Sequence, residues 1–207
     1  MSDTPIRHSF MTRIAHIGLG LAIIVQLLTS LVLVAPAPDA IGNAWFNVHQ
    51  VGGLSAFVFM VLFWLVLTLR RAGTAPGLLF PWFSGARLSA LWADTRAHLA
   101  ALTRLRLPPY QEDGAFAGAI HGLGLLLVTA MAASGTLYFF INTGNPDAGG
   151  LVGVAMFVHL ALANLVWVYL IGHSALAVIH HFTANMRLGE MWSLRRPAAV
   201  KVTDWGA

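Results

Sequence analysis

The stretch LVGVAMFVHLALANLVWVYLIGHSALAVIHHF, residues 151–182, decides the fold. It contains no Asp, Glu, Lys or Arg, and it is longer than the ~20 apolar residues a helix needs to cross a hydrocarbon core about 30 Å thick. Two of its histidines, His159 and His173, stand fourteen residues apart. On a helix that spacing is a rise of about 21 Å and a rotation about 40° short of four whole turns. Both imidazoles therefore point to nearly the same side of one helix, near opposite faces of a membrane. A polar, ionisable side chain inside a span is costly, so it reads first as functional.

Three more stretches, residues 14–34, 45–69 and 116–141, are equally free of Asp, Glu, Lys and Arg. The whole chain is 57% hydrophobic and 10% charged, far from the balance of a soluble domain. The expected fold is all-α: an integral membrane four-helix bundle, one domain over residues 1–207. The first apolar run follows Arg7 and Arg13 and ends near Ala35-Pro36-Ala37, which is the outline of a secretory signal. Its 21 residues are too many for a signal core, and cleavage would remove His16, so it is read as an uncleaved span.

Charge fixes the expected orientation. Arg7 and Arg13 precede the first span, and Arg70, Arg71, Arg87, Arg96, Arg104 and Arg106 lie between the second and third. Arg187, Arg195, Arg196 and Lys201 follow the fourth. All 12 basic residues thus fall on one side, which the positive-inside rule makes cytoplasmic, with both termini. The basic excess is a topology signal and gives no case for nucleic acid. The short outer loops carry only Asp39 and Asp147 as formal charges. In the cytoplasmic loop 70–115, Leu88, Leu91, Trp92, Leu99 and Leu102 recur at helical spacing, which predicts an amphipathic helix over 86–105. It would lie at the lipid surface with its arginines near anionic head groups, or pack under the bundle.

Cysteine is absent, which excludes thiolate-held clusters and covalent c-type haem and leaves histidine as the strong metal ligand of the core. His16 lies near the cytoplasmic start of the first span and His49 near the outer start of the second. Depth then pairs His16 with His173 and His49 with His159. A lone histidine in a span is commonly a hydrogen-bonded polar group or a proton relay. Four histidines in two matched layers suit two b-type haems, each iron held by two neutral imidazoles on facing helices of a bundle. Zinc is the rival metal, but the core offers it no carboxylate or thiol. Gly18, Gly20, Gly52, Gly53 and Gly172 flank these histidines, where they would leave room for a flat macrocycle or serve close helix contact. The mid-membrane Trp64 and Trp167 are expected to stack near a haem or to pack within the bundle.

The fourth span also carries a family likeness. His159, His173 fourteen residues on, then the doublet His180-His181 and Phe182 resemble the bacterial cytochrome b561 pattern. His121 with Gly135 fourteen residues later, and Gly144-Asn145-Pro146, are similar to its third span and following loop. The chain resembles that family and the related four-span di-haem cytochrome b subunits of formate dehydrogenases and hydrogenases. It departs from the pattern at Ile17, where an aromatic residue often follows the first ligand, and its long second loop is closer to the dehydrogenase subunits. The resemblance implies haem ligation by His16, His49, His159 and His173, a place in the bacterial inner membrane, and quinone as a partner. His121, His180 and His181 are candidates for quinone or haem-propionate contact, and Arg13 and Arg187 for propionate contact. His8 and His98 are expected to be solvated or interfacial.

The function expected is transmembrane electron transfer between a periplasmic redox partner and the quinone pool. Rival readings are a superoxide:ubiquinone oxidoreductase, an anchor subunit of a dehydrogenase or hydrogenase, and a metal or proton transporter using the histidines as a relay. The negative formal charge of the outer loops disfavours capture of an anion such as superoxide and suits a basic soluble cytochrome.

Overall fold

The computed structural model describes residues 8–37, 39–70, 74–106, 111, 113–142, 149–183 and 188–194. Among these it is helical, with an isolated antiparallel bridge between Ala37 and Ala40. Four long apolar helices dominate: α1 (Phe10–Ser30), α2 (Ala44–Leu69), α5 (Ala115–Ile141) and α6 (Gly150–Thr183). Three lesser ones are α3 (Pro76–Leu79), α4 (Gly85–Leu102) and α7 (Gly189–Trp192). The 21 residues of the shortest long helix rise about 31 Å, enough to cross a bilayer core. The chain is an all-α, multi-pass membrane bundle.

The first helix sits one turn earlier than the apolar run suggested, starting at Phe10 rather than residue 14 and ending at Ser30 rather than residue 34. Its start is set by Ser9, whose hydroxyl accepts from the Thr12 amide at 3.1 Å, the usual role of serine at a helix N-terminus. Its end is set by Asn43. That side chain accepts from the amides of Val34 and Phe46 and donates to the Val32 carbonyl at 2.8 Å. One asparagine thus caps α2 and ties down the turn leaving α1. Pro36 reinforces the stop, because the residue before proline avoids the helical region.

α1 packs on α2, α2 on α5, and α5 on α6, while α6 is the least buried of the four. The core between α1, α2 and α5 is Leu19, Met60 and Val128, with Ile23, Phe57, Phe59, Trp64 and Ala132 around it. Trp64 serves this packing: its indole donates to Thr129 Oγ1 at 2.9 Å and its ring stacks on Phe80 at 5.5 Å. α3 runs against α5 so closely that a Cβ on Gly122 would overlap the Leu79 carbonyl, so only glycine fits there.

α4 covers 85–102 where 86–105 was expected, and none of its residues is buried. It meets α5 through its polar side. Asp94 Oδ2 accepts from the Phe116 amide at 2.8 Å, capping α5 from a different helix, and His98 bonds Asp94 and lies 4.8 Å from the Phe116 ring. His98, expected to be solvated or interfacial, is therefore part of the α4–α5 joint. Leu88, Trp92, Leu99 and Leu102 face outward, and Arg96 lies over the Trp92 ring at 5.6 Å.

Candidate functional site

Helix α6 presents His159 and His173, α1 presents His16 and α2 presents His49. The structure brings them together in two pairs at two levels. The ring centroids of His16 and His173 are 6.3 Å apart, tilted by 56°. Those of His49 and His159 are also 6.3 Å apart, at 86°. An imidazole nitrogen binds a metal at about 2.0–2.1 Å, so two imidazoles on opposite sides of one ion put their centroids about 6.3 Å apart. Both pairs therefore stand at the separation that one iron between two imidazoles requires. The donor set, imidazoles with no thiolate or carboxylate, would fit a bis-histidine haem.

At the His49–His159 level the hydrogen bonds suit one tautomer. Thr29 Oγ1 lies 2.7 Å from the Val25 carbonyl and 3.0 Å from that of Gln26. Carbonyls only accept; with the one hydroxyl proton turned to them, an Oγ1 lone pair faces His49. In that arrangement the 2.9 Å contact between Thr29 Oγ1 and His49 Nδ1 is a bond donated by the imidazole. His159 Nδ1 likewise donates to the Met131 carbonyl at 3.1 Å, with Ser134 Oγ at 3.3 Å. On both rings Nε2 keeps its lone pair, which is the arrangement in which a second-shell acceptor readies a histidine for a metal. Gln26 adds a bond from its amide to the His49 carbonyl at 2.9 Å.

Gly135 leaves room for the His159 ring at this level. A Cβ there would stand 2.9 Å from His159 Cε1 and 3.2 Å from its Nδ1. At the other level His121 of α5 meets His173 edge-on at 5.2 Å. α5 thus offers His121 and Gly135 to His173 and His159 in one antiparallel register. The glycines expected to leave room for a macrocycle divide. Gly18 is occupied by the Phe59 ring and Gly52 by the Gln26 amide, so both serve contact between α1 and α2; Gly172 has nothing within 4 Å among the described residues.

The His16–His173 level has a different surround. Tyr169, one turn before His173, stacks on its ring at 5.5 Å and 12°, seated where a Cβ on Gly124 would overlap the phenol. Trp192 of α7 meets His16 edge-on at 5.7 Å. The Nδ1 atom of His16 is buried and has no hydrogen-bond partner among the described residues. Arg13 is buried, donates from Nη1 to the Ser193 carbonyl at 2.6 Å and lies over the Phe10 ring at 5.9 Å. His180 and His181 form the last turn of α6, with the exposed His181 ring against Phe182 at 5.1 Å. Arg187 and the Gly144-Asn145-Pro146 loop lie outside the described residues.

Sequence reasoning missed Thr29, Gln26, Ser134, Tyr169 and Trp192. Only Tyr169 left a signal, its four-residue offset from His173, which puts both on one helix face.

No curated protein and no solved structure matches the chain. The model of the prokaryotic cytochrome b561 family matches residues 7–193, nearly the whole sequence and all four long helices. The chain therefore belongs to the prokaryotic cytochrome b561 family of multi-pass membrane proteins, which bind haem b and carry electrons.

Proposed function

We propose that the chain moves electrons across the bacterial inner membrane through two bis-histidine b haems. His16 and His173 hold one, His49 and His159 the other, and the two link a periplasmic redox partner to quinone. The observation that carries this reading is the pair of imidazole couples at one common separation, 6.3 Å, on facing helices. With every basic residue on one side, the positive-inside rule puts both termini and the His16–His173 level towards the cytoplasm. The His49–His159 level then lies towards the periplasm.

Haem, when bound, supplies a one-electron carrier at each level; the protein supplies position and insulation. The fourteen-residue interval from His159 to His173 sets the two levels about 21 Å apart along α6. Leu19, Met60 and Val128 keep the core beside them apolar. His121, exposed and 5.2 Å from His173, is assigned a bond donated to a quinone carbonyl. His180 and His181 are at the same end of the bundle, and Arg13 and Arg187 are assigned to propionates of the cytoplasmic-side haem. α4 lies at head-group depth, with Trp92 and its neighbouring leucines in lipid and Arg96 at the phosphates. The test is a redox spectrum with pyridine haemochrome quantitation on purified protein. A b-type spectrum and a haem-to-protein ratio near two are expected. A folded, colourless preparation from haem-replete cells refutes the reading.

A further inference from the structure

The geometry points to Thr29 as a positioning residue that orients His49 and raises its electron-donating strength, and so sets the character of the periplasmic-side haem. This rests on the proposal that His49 and His159 share one iron.

Thr29 is 4% exposed and lies in the last turn of α1, on a different helix from the histidine it touches. Its hydroxyl lies within hydrogen-bond distance of the Val25 and Gln26 carbonyls and of His49 Nδ1; with the proton turned to a carbonyl, its lone pair is presented to Nδ1. Two consequences follow. The first is orientation. His49 is held at Nδ1 by Thr29 and His159 at Nδ1 by the Met131 carbonyl, and the two rings stand at 86°. The planes of two imidazoles on opposite sides of one iron both contain the iron–nitrogen axis. Were His49 and His159 to hold one iron in this way, their 86° interplanar angle would be the rotation of one ligand about that axis against the other. Near-perpendicular ligand planes leave two iron d-orbitals almost equal in energy, and low-spin ferric haem then gives a strongly axial paramagnetic signal with a large maximum g-value. The second is donor strength. A histidine that donates its Nδ1 proton to an acceptor is the more basic ligand, favours ferric iron and lowers the potential. At the other level the rings stand at 56°, and His16 Nδ1 has no partner among the described residues.

The test uses the full-length holoprotein with Thr29→Val, which keeps the shape and removes the hydroxyl, and Thr29→Ser, which keeps it. His49→Ala identifies the periplasmic-side haem by the signal it removes. Wild type is expected to show the more axial ferric signal from that haem. Thr29→Val is expected to reduce its maximum g-value and raise its midpoint potential, leaving the other haem unchanged, while Thr29→Ser preserves both properties. If Thr29→Val binds two haems with the signal and potential of the periplasmic-side haem unaltered, Thr29 is a packing residue and the inference is overturned, with the di-haem reading intact. If Thr29→Val loses that haem, Thr29→Ser decides. Retention with wild-type signal supports the inference, and loss there as well overturns it. A wild-type ratio well below two removes the di-haem reading and this inference together.

Discussion

Gly135→Ala separates a histidine that holds a haem from one that merely packs. The added Cβ would stand 2.9 Å from His159 Cε1, where carbon atoms prefer about 3.5–4.0 Å, so the imidazole must retreat by about 0.6 Å or more. A packing histidine would swing aside at little cost, because Cε1 is the far end of a side chain. His159 is held on one side by the Met131 carbonyl at 3.1 Å and, in the proposed function, on the other by iron. Retreat must then lengthen one of these bonds or tilt the ring. Overpacking of this kind costs about 1–3 kcal/mol. Applied to the holoprotein alone, that is a loss of about 5–150-fold in affinity for the periplasmic-side haem. The assay is transfer of haem to excess apomyoglobin, followed spectrally, with the other haem as internal reference. Gly153→Ala, on α6 with His159 and with nothing within 4 Å of the new Cβ among the described residues, controls for the general effect of alanine in these helices. If Gly135→Ala holds both haems as tightly as Gly153→Ala does, His159 is free to move and its assignment as an axial ligand fails.

Four further outcomes are expected. His49→Ala or His159→Ala should remove one haem and His16→Ala or His173→Ala the other; selective loss of the His173 haem in His49→Ala would break the pairing, as read by difference spectra. His121→Ala should slow quinol-driven haem reduction while both haem bands persist in stopped-flow records, and an unchanged rate would take His121 out of the quinone site. Asp94→Ala, which removes the acceptor for the Phe116 amide at the start of α5, should cost about 0.5–2 kcal/mol, with Asp94→Asn losing less; thermal melts in detergent read this, and equal losses would show that the cap contributes nothing specific. Superoxide should reduce the haems slowly, since the outer loops carry only Asp39 and Asp147 as formal charges, whereas a basic cytochrome should react faster and lose that advantage in high salt. Near-diffusion-limited reduction in pulse radiolysis would instead favour the oxidoreductase reading.

Sequence by itself determined what depends on composition and on one helix at a time. Residues 151–182 have to be a membrane helix because nothing in them repays exposure to water, and the fourteen-residue interval puts His159 and His173 on one face because the helical period is fixed. The same logic reached His16 and His49 through depth alone. Where an end depended on another segment it fell short: α1 stops at Ser30 because Asn43, beyond the turn, takes up the backbone groups of Val32 and Val34. Tertiary structure alone decided the surround of each histidine. The acceptor for His159 is a backbone carbonyl, Met131, and every residue has one, so no side-chain pattern could mark it. Thr29 reaches His49 only because α1 and α2 pack in one particular register, and an apolar helix surface carries little information about register. The space at Gly135 likewise acquires its meaning only from the ring that α6 brings against it.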